Sequence, residues 1–166
     1  MEAPELRTLA VSAFCLFVAA VLGAAVSISS AAAQQARTVA PGKLVIAGRR
    51  LRCGNVPTRL SNGAPGVGFA TPGAITLNPR LLRRYPAVVR WMIYYHECGH
   101  HRVGASETAA DCYAVRRAKR AGWLTAGGLR HVCDSFRSSP GGRGHLPGPT
   151  RCRLMQQCFR SAPGPR

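Results

Sequence analysis

Tyr94-Tyr95-His96-Glu97-Cys98-Gly99-His100-His101, followed by Ser106-Glu107-Thr108-Ala109-Ala110-Asp111-Cys112-Tyr113-Ala114, is the stretch around which the chain is organised. It holds an H-E-x-x-H pattern. On a helix, residues four apart share a face, so His96 and His100 would aim their imidazoles at one point where a divalent ion can sit. Glu97 lies beside that point, free to act as a base.

The flanks fit this reading. Pro86 opens a helix with Val88, Val89, Met92, Ile93 and Tyr95 or His96 at helical spacing, bounded by Gly99 and Gly104. The histidine pair therefore closes a largely buried helix. Ser106 is placed to cap a second helix through Asp111, Cys112, Val115 and Ala118 to Gly122, its outer face carrying Arg116, Arg117, Lys119 and Arg120. The turn Val103-Gly104-Ala105 would fold the two into an antiparallel hairpin.

These helices resemble the zincin metallopeptidases, in particular the gluzincin pattern in which H-E-x-x-H precedes a second helix bearing E-x-x-x-D. The match covers residues 86 to 122. The resemblance implies that His96 and His100 bind one Zn2+, that Glu107 is the third ligand and that Glu97, as general base, activates a zinc-bound water for peptide-bond hydrolysis. It also implies that Asp111 stands behind His96. Spacing within a hairpin agrees: His100 and Glu107 face each other across the turn. One helical turn away, about 5.4 Å, Asp111 comes alongside His96, where it can accept the other imidazole N–H. Six residues separate His100 from Glu107, and Asp111 is the alternative third ligand; the longer arm of Glu107 suits the position nearer the turn. A further donor usually steadies the oxyanion. Tyr94, Tyr95, His101, His131 and His145 are the candidates.

Charge adds weight to the cluster. Of 23 Lys and Arg and six Asp and Glu, only Arg7, Glu2 and Glu5 precede residue 34, so the remainder holds 22 basic groups against four acids, a formal net of +18. Those four acids are Glu97, Glu107, Asp111 and Asp134, and three of them fall within 15 residues. A cationic surface has no need to gather its few carboxylates, whereas a metal site does. The surface itself would attract anions, and in an exported chain anionic envelope polymers are favoured over nucleic acid, for which no specific role is expected.

Export is expected because Leu9 to Ile28 is almost wholly apolar and runs into Ser29-Ser30-Ala31-Ala32-Ala33-Gln34, a small-residue cleavage site. Residues 1–33 read as a signal peptide, with an uncleaved membrane anchor as the rival. Beyond them stand six cysteines, Cys53, Cys98, Cys112, Cys133, Cys152 and Cys158, an even set that suggests three disulfides in a secreted or periplasmic protein. Six cysteines allow 15 pairings. If Cys152 and Cys158 share one straight helix, about 9 Å of rise keeps them from pairing with each other.

Residues 34–52 read as a flexible lead-in, with Lys43 to Ala47 able to form a short strand, and Arg49, Arg50, Arg52 and Arg59 make a solvated basic loop around Cys53. Gly66 to Leu77 reads as a β-hairpin turning at Thr71-Pro72-Gly73, with Asn78-Pro79 capping a short helix. It could offer an edge strand to an extended peptide. Thr125 to Phe136 reads as a helix, residues 138–149 as a loop, Thr150 as the cap of a last short helix, and residues 161–166 as a disordered tail. The expected fold is therefore α+β and mainly helical, a zincin-like helical hairpin with a small β-hairpin, disulfide-stapled, spanning residues 53–160. The expected function is exported, zinc-dependent peptide hydrolysis. Its rivals are a zinc amidase acting on cell-wall peptides and a non-catalytic basic binding module.

Overall fold

A computed structural model describes residues 36–165; the expected leader, 1–33, lies outside them. Six short strands precede five helices among the described residues. The strands are β1 (Arg37–Val39), β2 (Leu44–Ile46), β3 (Arg49–Leu51), β4 (Thr58–Leu60), β5 (Gly68–Thr71) and β6 (Ala74–Leu77). The helices are α1 (Pro79–Leu82), α2 (Ala87–Val103), α3 (Glu107–Arg120), α4 (Ala126–Asp134) and α5 (Gly148–Ser161). The fold is α+β, as the sequence implies.

One sheet has the order β1-β4-β6-β5, with β4 and β6 parallel and the other neighbours antiparallel. Strand β2 pairs with β3 through a two-residue turn whose Ala47 and Gly48 both have positive φ, 47° and 77°, as the tightest hairpins require. Within the expected lead-in, residues 37–51 thus hold three strands, while residues 34 and 35 lie outside the described ones. Leu44, Ile46 and Leu51 belong to the core, and β1 is held by a partner some twenty residues downstream. Three-residue strands show too little alternation to be read locally. At the other end, Ala162 is buried, and Lys119 Nζ donates to Phe159 O and Ala162 O, each at 2.7 Å. The tail is tied down at its root.

Local rules place the helix starts. Asn78, buried, accepts from Leu81 N at 3.1 Å and donates to Asn62 O and Ala64 O at 3.0 and 2.7 Å, so all of its strong hydrogen-bonding groups are used. Ser106 caps α3 and Thr125 caps α4 through their side-chain oxygens. Helix α5 departs from expectation. It begins at Gly148 after Pro147, without a side-chain cap, and Thr150 lies in its first turn. Pro149, in the same first turn, is tolerated because its missing N–H would have no partner there.

The helical hairpin is tight because its facing residues are small. Ala110, Ala114 and Ala118, each 0% exposed, form a stripe at four-residue intervals along α3. On α2, a Cβ added to Gly99 would come within 2.8 Å of Ala110 Cα and 3.0 Å of its carbonyl oxygen, both backbone atoms. Gly99→Ala should therefore force the helices apart and cost about 1–3 kcal/mol in a denaturant melt. Unchanged stability would show that the helices separate freely.

Three disulfides close the fold: Cys53–Cys98, Cys112–Cys158 and Cys133–Cys152, with Cα separations of 5.6, 5.3 and 5.3 Å. Cys152 and Cys158, both on α5, bond to different helices. Among the described residues, no helix is long and apolar enough to cross a membrane.

Candidate metal centre

The last turns of α2 and the first turns of α3 bring the predicted residues together. His96 Nδ1 meets Asp111 Oδ1 at 2.8 Å, and His100 Nδ1 meets the Gly104 carbonyl oxygen at 3.0 Å. Because those partners accept hydrogen bonds, they assign the N–H to Nδ1 whenever a ring is neutral and leave its Nε2 with a lone pair. Those two lone-pair atoms lie 3.2 Å apart. Glu107 Oε2 joins them, 2.9 Å from His96 Nε2 and 3.4 Å from His100 Nε2. Three acceptors facing one another repel unless a proton or a cation stands between them.

A fourth donor atom comes from the loop between α4 and α5. His145 Nδ1 lies 3.1 Å from Glu107 Oε2, is buried, and has no hydrogen-bond partner. The ligand atoms of His96, Glu107 and His145 all lie within 4.8 Å of one another. Four tetrahedral ligands at zinc bond lengths of 2.0–2.1 Å would stand roughly 3.3 Å apart. The contacts of 2.9, 3.2 and 3.4 Å among His96, His100 and Glu107 fit that spacing, and His145 Nδ1 meets this set at Glu107 Oε2, 3.1 Å away. The loop is shaped to deliver it: Gly142 and His145 exchange two backbone hydrogen bonds of 3.0 Å around Arg143 and Gly144, both with positive φ.

Asp111 is 2% exposed and uses both oxygens. Arg151, from α5, donates to it from Nε and from a terminal nitrogen, each at 2.7 Å. Burial alone would raise the Asp111 pKa, but the hydrogen bonds from His96 and Arg151 outweigh it and hold the carboxylate below its ordinary range. At His96 burial disfavours the charged ring, but the Asp111 hydrogen bond and carboxylate charge prevail and raise its pKa. At His145 burial acts first and the Arg151 charge second, both lowering the pKa and favouring the neutral ring.

Glu97 stands beside the centre and is not one of the converging atoms. It is 9% exposed, and burial raises its pKa above the usual carboxylate value, against the opposing charges of His96 and His100. Strand β5 runs past it: Ala70 N–H hydrogen-bonds Glu97, and a Cβ on Gly68 would lie 3.2 Å from Glu97 Cγ and Oε1. Glycine at 68 lets the strand approach this closely. Strand β5 is at the edge of its sheet and borders a groove of about 740 Å³, together with His100, His101, Gly142 and Arg143.

Of the five candidate oxyanion donors, only His145 reaches the centre. Tyr94 is 1% exposed and hydrogen-bonded to Thr58; Tyr95 stacks on Trp123 at 5.8 Å; His101 bonds the Ala74 carbonyl; His131 is exposed on α4. The sequence did not single out Arg151. A buried, doubly hydrogen-bonded aspartate calls for a second donor, but 22 basic residues stand beyond position 33 and none is marked by spacing. Asp134, expected in a local cap or salt bridge, pairs with Arg137 on the surface. Comparisons with protein families, curated proteins and solved structures returned no match.

Proposed function

We propose that the chain is an exported zinc metallopeptidase, with His96, His100 and Glu107 as ligands and Glu97 as general base. One observation carries the reading. Ligand atoms from two helices converge at ligand spacing with His145 from a loop beside them, while a separate buried carboxylate stands next to them and outside their set. A structural ion does not require that extra carboxylate. A zinc ion held there would supply Lewis-acid polarisation of a carbonyl and bring the pKa of a coordinated water to about 7.

The chain's own residues account for the remainder. Asp111, braced by Arg151, fixes the ring of His96; the Gly104 carbonyl does the same for His100. Glu97 accepts the proton of the attacking water and returns it to the leaving amine, a role suited to a carboxylate whose pKa lies above the usual value. An extended peptide laid against the edge of β5 would bring a carbonyl past Glu97 and toward His145. His145 would donate to the oxygen that becomes negative.

Three disulfides support an oxidising, secreted or periplasmic setting. Every described carboxylate has a partner at the centre or in the Asp134–Arg137 pair, so the positive surface is unopposed and favours anionic envelope polymers as partners.

The test is a zinc titration of the purified protein with a peptide-cleavage assay. One equivalent of zinc and chelator-sensitive cleavage are expected; absence of bound zinc would sink the reading, and cleavage of peptidoglycan stem peptides alone would turn it to an amidase. His145→Ala should keep the ion and lower kcat by about 100-fold or more, the usual loss for one oxyanion donor. If metal content falls instead, His145 is a ligand.

A further inference from the structure

We propose that four arginines gathered about Gly42 and Gly54 form a docking face for an anionic polysaccharide of the cell envelope, one that carries a carboxylate or a phosphate along its length. The proposal deepens the reading above, on which it rests for the exported setting, by giving the anionic partner a place on the surface. Arg50, Arg52 and Arg102 are exposed and Arg117 is half-buried. Arg50 donates to Gly42 O at 3.3 Å, Arg52 Nε to Gly54 O at 3.1 Å, and Arg117, from α3, to Arg52 O at 3.3 Å. Arg102, in the last turn of α2, packs on the same spot, since a Cβ added to Gly54 would collide with its terminal nitrogen.

Every acceptor in this cluster is a backbone carbonyl. The four acids among the described residues are engaged elsewhere: Glu97, Glu107 and Asp111 at the centre, Asp134 with Arg137. Like charges brought together without a counter-charge repel one another, and an anion set among them relieves that repulsion. A guanidinium has five N–H donors, so one bond to a carbonyl orients it and leaves the others for a ligand, in the fork that carboxylates and phosphates match. The last turn of a helix favours a cation such as Arg102 by itself, but that preference does not reach Arg50 and Arg52, which stand on and just after β3.

The face is also fixed in advance. Cys53, between Arg52 and Gly54, is 1% exposed and bonded to Cys98 of α2, and a preformed surface loses less freedom on binding. None of the four arginines lines the groove along β5, so a bound polymer leaves the groove open. Other anions fit less well. Arg49 lies over the Trp91 ring at 4.6 Å, Arg117 over Tyr95 at 4.8 Å, and Tyr95 stacks on Trp123, so the neighbouring rings are engaged and offer single-stranded nucleic acid no platform for its bases. Exposed large hydrophobics among the described residues are Val45 and Val103, too little apolar surface to anchor the face in a bilayer.

The test measures binding of the full domain to alginate, phosphorylated dextran, plain dextran, single-stranded DNA and phosphatidylglycerol vesicles over a salt series, with peptide cleavage assayed separately. One or both charged polysaccharides should bind and plain dextran should not, with affinity falling steeply as salt rises. A preference for alginate identifies the carboxylate as the group recognised, and a preference for phosphorylated dextran the phosphate. Arg50→Gln and Arg102→Gln should each lower the salt slope by about 1, and together weaken binding about 10-fold. Arg130→Gln and Arg160→Gln, exposed on α4 and α5, should change neither. Equal losses in those two controls would spread the binding over the whole surface and overturn the face. Tighter binding to DNA or to vesicles than to either charged polysaccharide would overturn the occupant, and no binding at all would overturn both. Binding through this face without peptide cleavage would keep the face and overturn the peptidase; cleavage without polysaccharide binding would do the reverse.

Discussion

Glu97→Gln is expected to hold a full equivalent of zinc and to lose about 10²- to 10⁴-fold in kcat, the range a positioned general base contributes. Glutamine fills nearly the same volume and can still meet the Ala70 N–H, so the packing of β5 against α2 should survive. The loss would be of proton transfer. Its carboxylate is buried beside the centre and outside the ligand set, the place a proton acceptor for attacking water must occupy. Equal turnover in wild type and variant, at equal metal content, would remove Glu97 from the chemistry and return the chain to the class of basic binding modules.

Glu107→Ala should act through the metal. Glu107 Oε2 is the atom shared by all three imidazoles, at 2.9, 3.4 and 3.1 Å, and the one charged ligand of the set. Removing a group that merely orients a ligand weakens metal binding about 10- to 100-fold, and loss of a direct ligand should exceed that. Activity should fall with occupancy. A melting experiment separates the two carboxylates, because a ligand present at a hundred times its Kd stabilises the fold by about 2.7 kcal/mol. Zinc should raise the melting temperature of wild type and Glu97→Gln and leave Glu107→Ala unmoved. If Asp111→Asn loses zinc while Glu107→Ala keeps it, the third ligand has been misassigned.

What could be read in the sequence was whatever depends on neighbours along the chain. The H-E-x-x-H spacing placed His96 and His100 on one face, and Asn78, Ser106 and Thr125 announced their helices because a cap acts on a backbone N–H only three residues away. The Pro72-Gly73 turn announced its hairpin in the same way. What escaped depends on distant partners. β1 exists because β4 pairs with it, and Arg151 reaches Asp111 from 40 residues downstream. His145 is one of five candidate donors by sequence, and the connection from α4 to α5 is what brings it to Glu107. The disulfide pairing had the same non-local character; the rise of a helix excluded one pair and no more.

Each disulfide has a cysteine directly beside a residue of the centre: Cys98 follows Glu97, Cys112 follows Asp111, and Cys152 follows Arg151. The bridges join residues 45, 46 and 19 positions apart, and loops of that size remove about 3 to 4 kcal/mol each of unfolded-chain entropy in a chain-entropy account. The ordering of the ligand hairpin and its bracing arginine is thus met by covalent bonds. In small zinc modules that fold around their ion, the ion comes first and the chain follows. Under the proposed reading the sequence of events is reversed: oxidation would set the geometry, and an ion would be a late arrival at a seat already made. A reductant would therefore disarm this centre as effectively as a chelator, by loosening the frame instead of removing the guest.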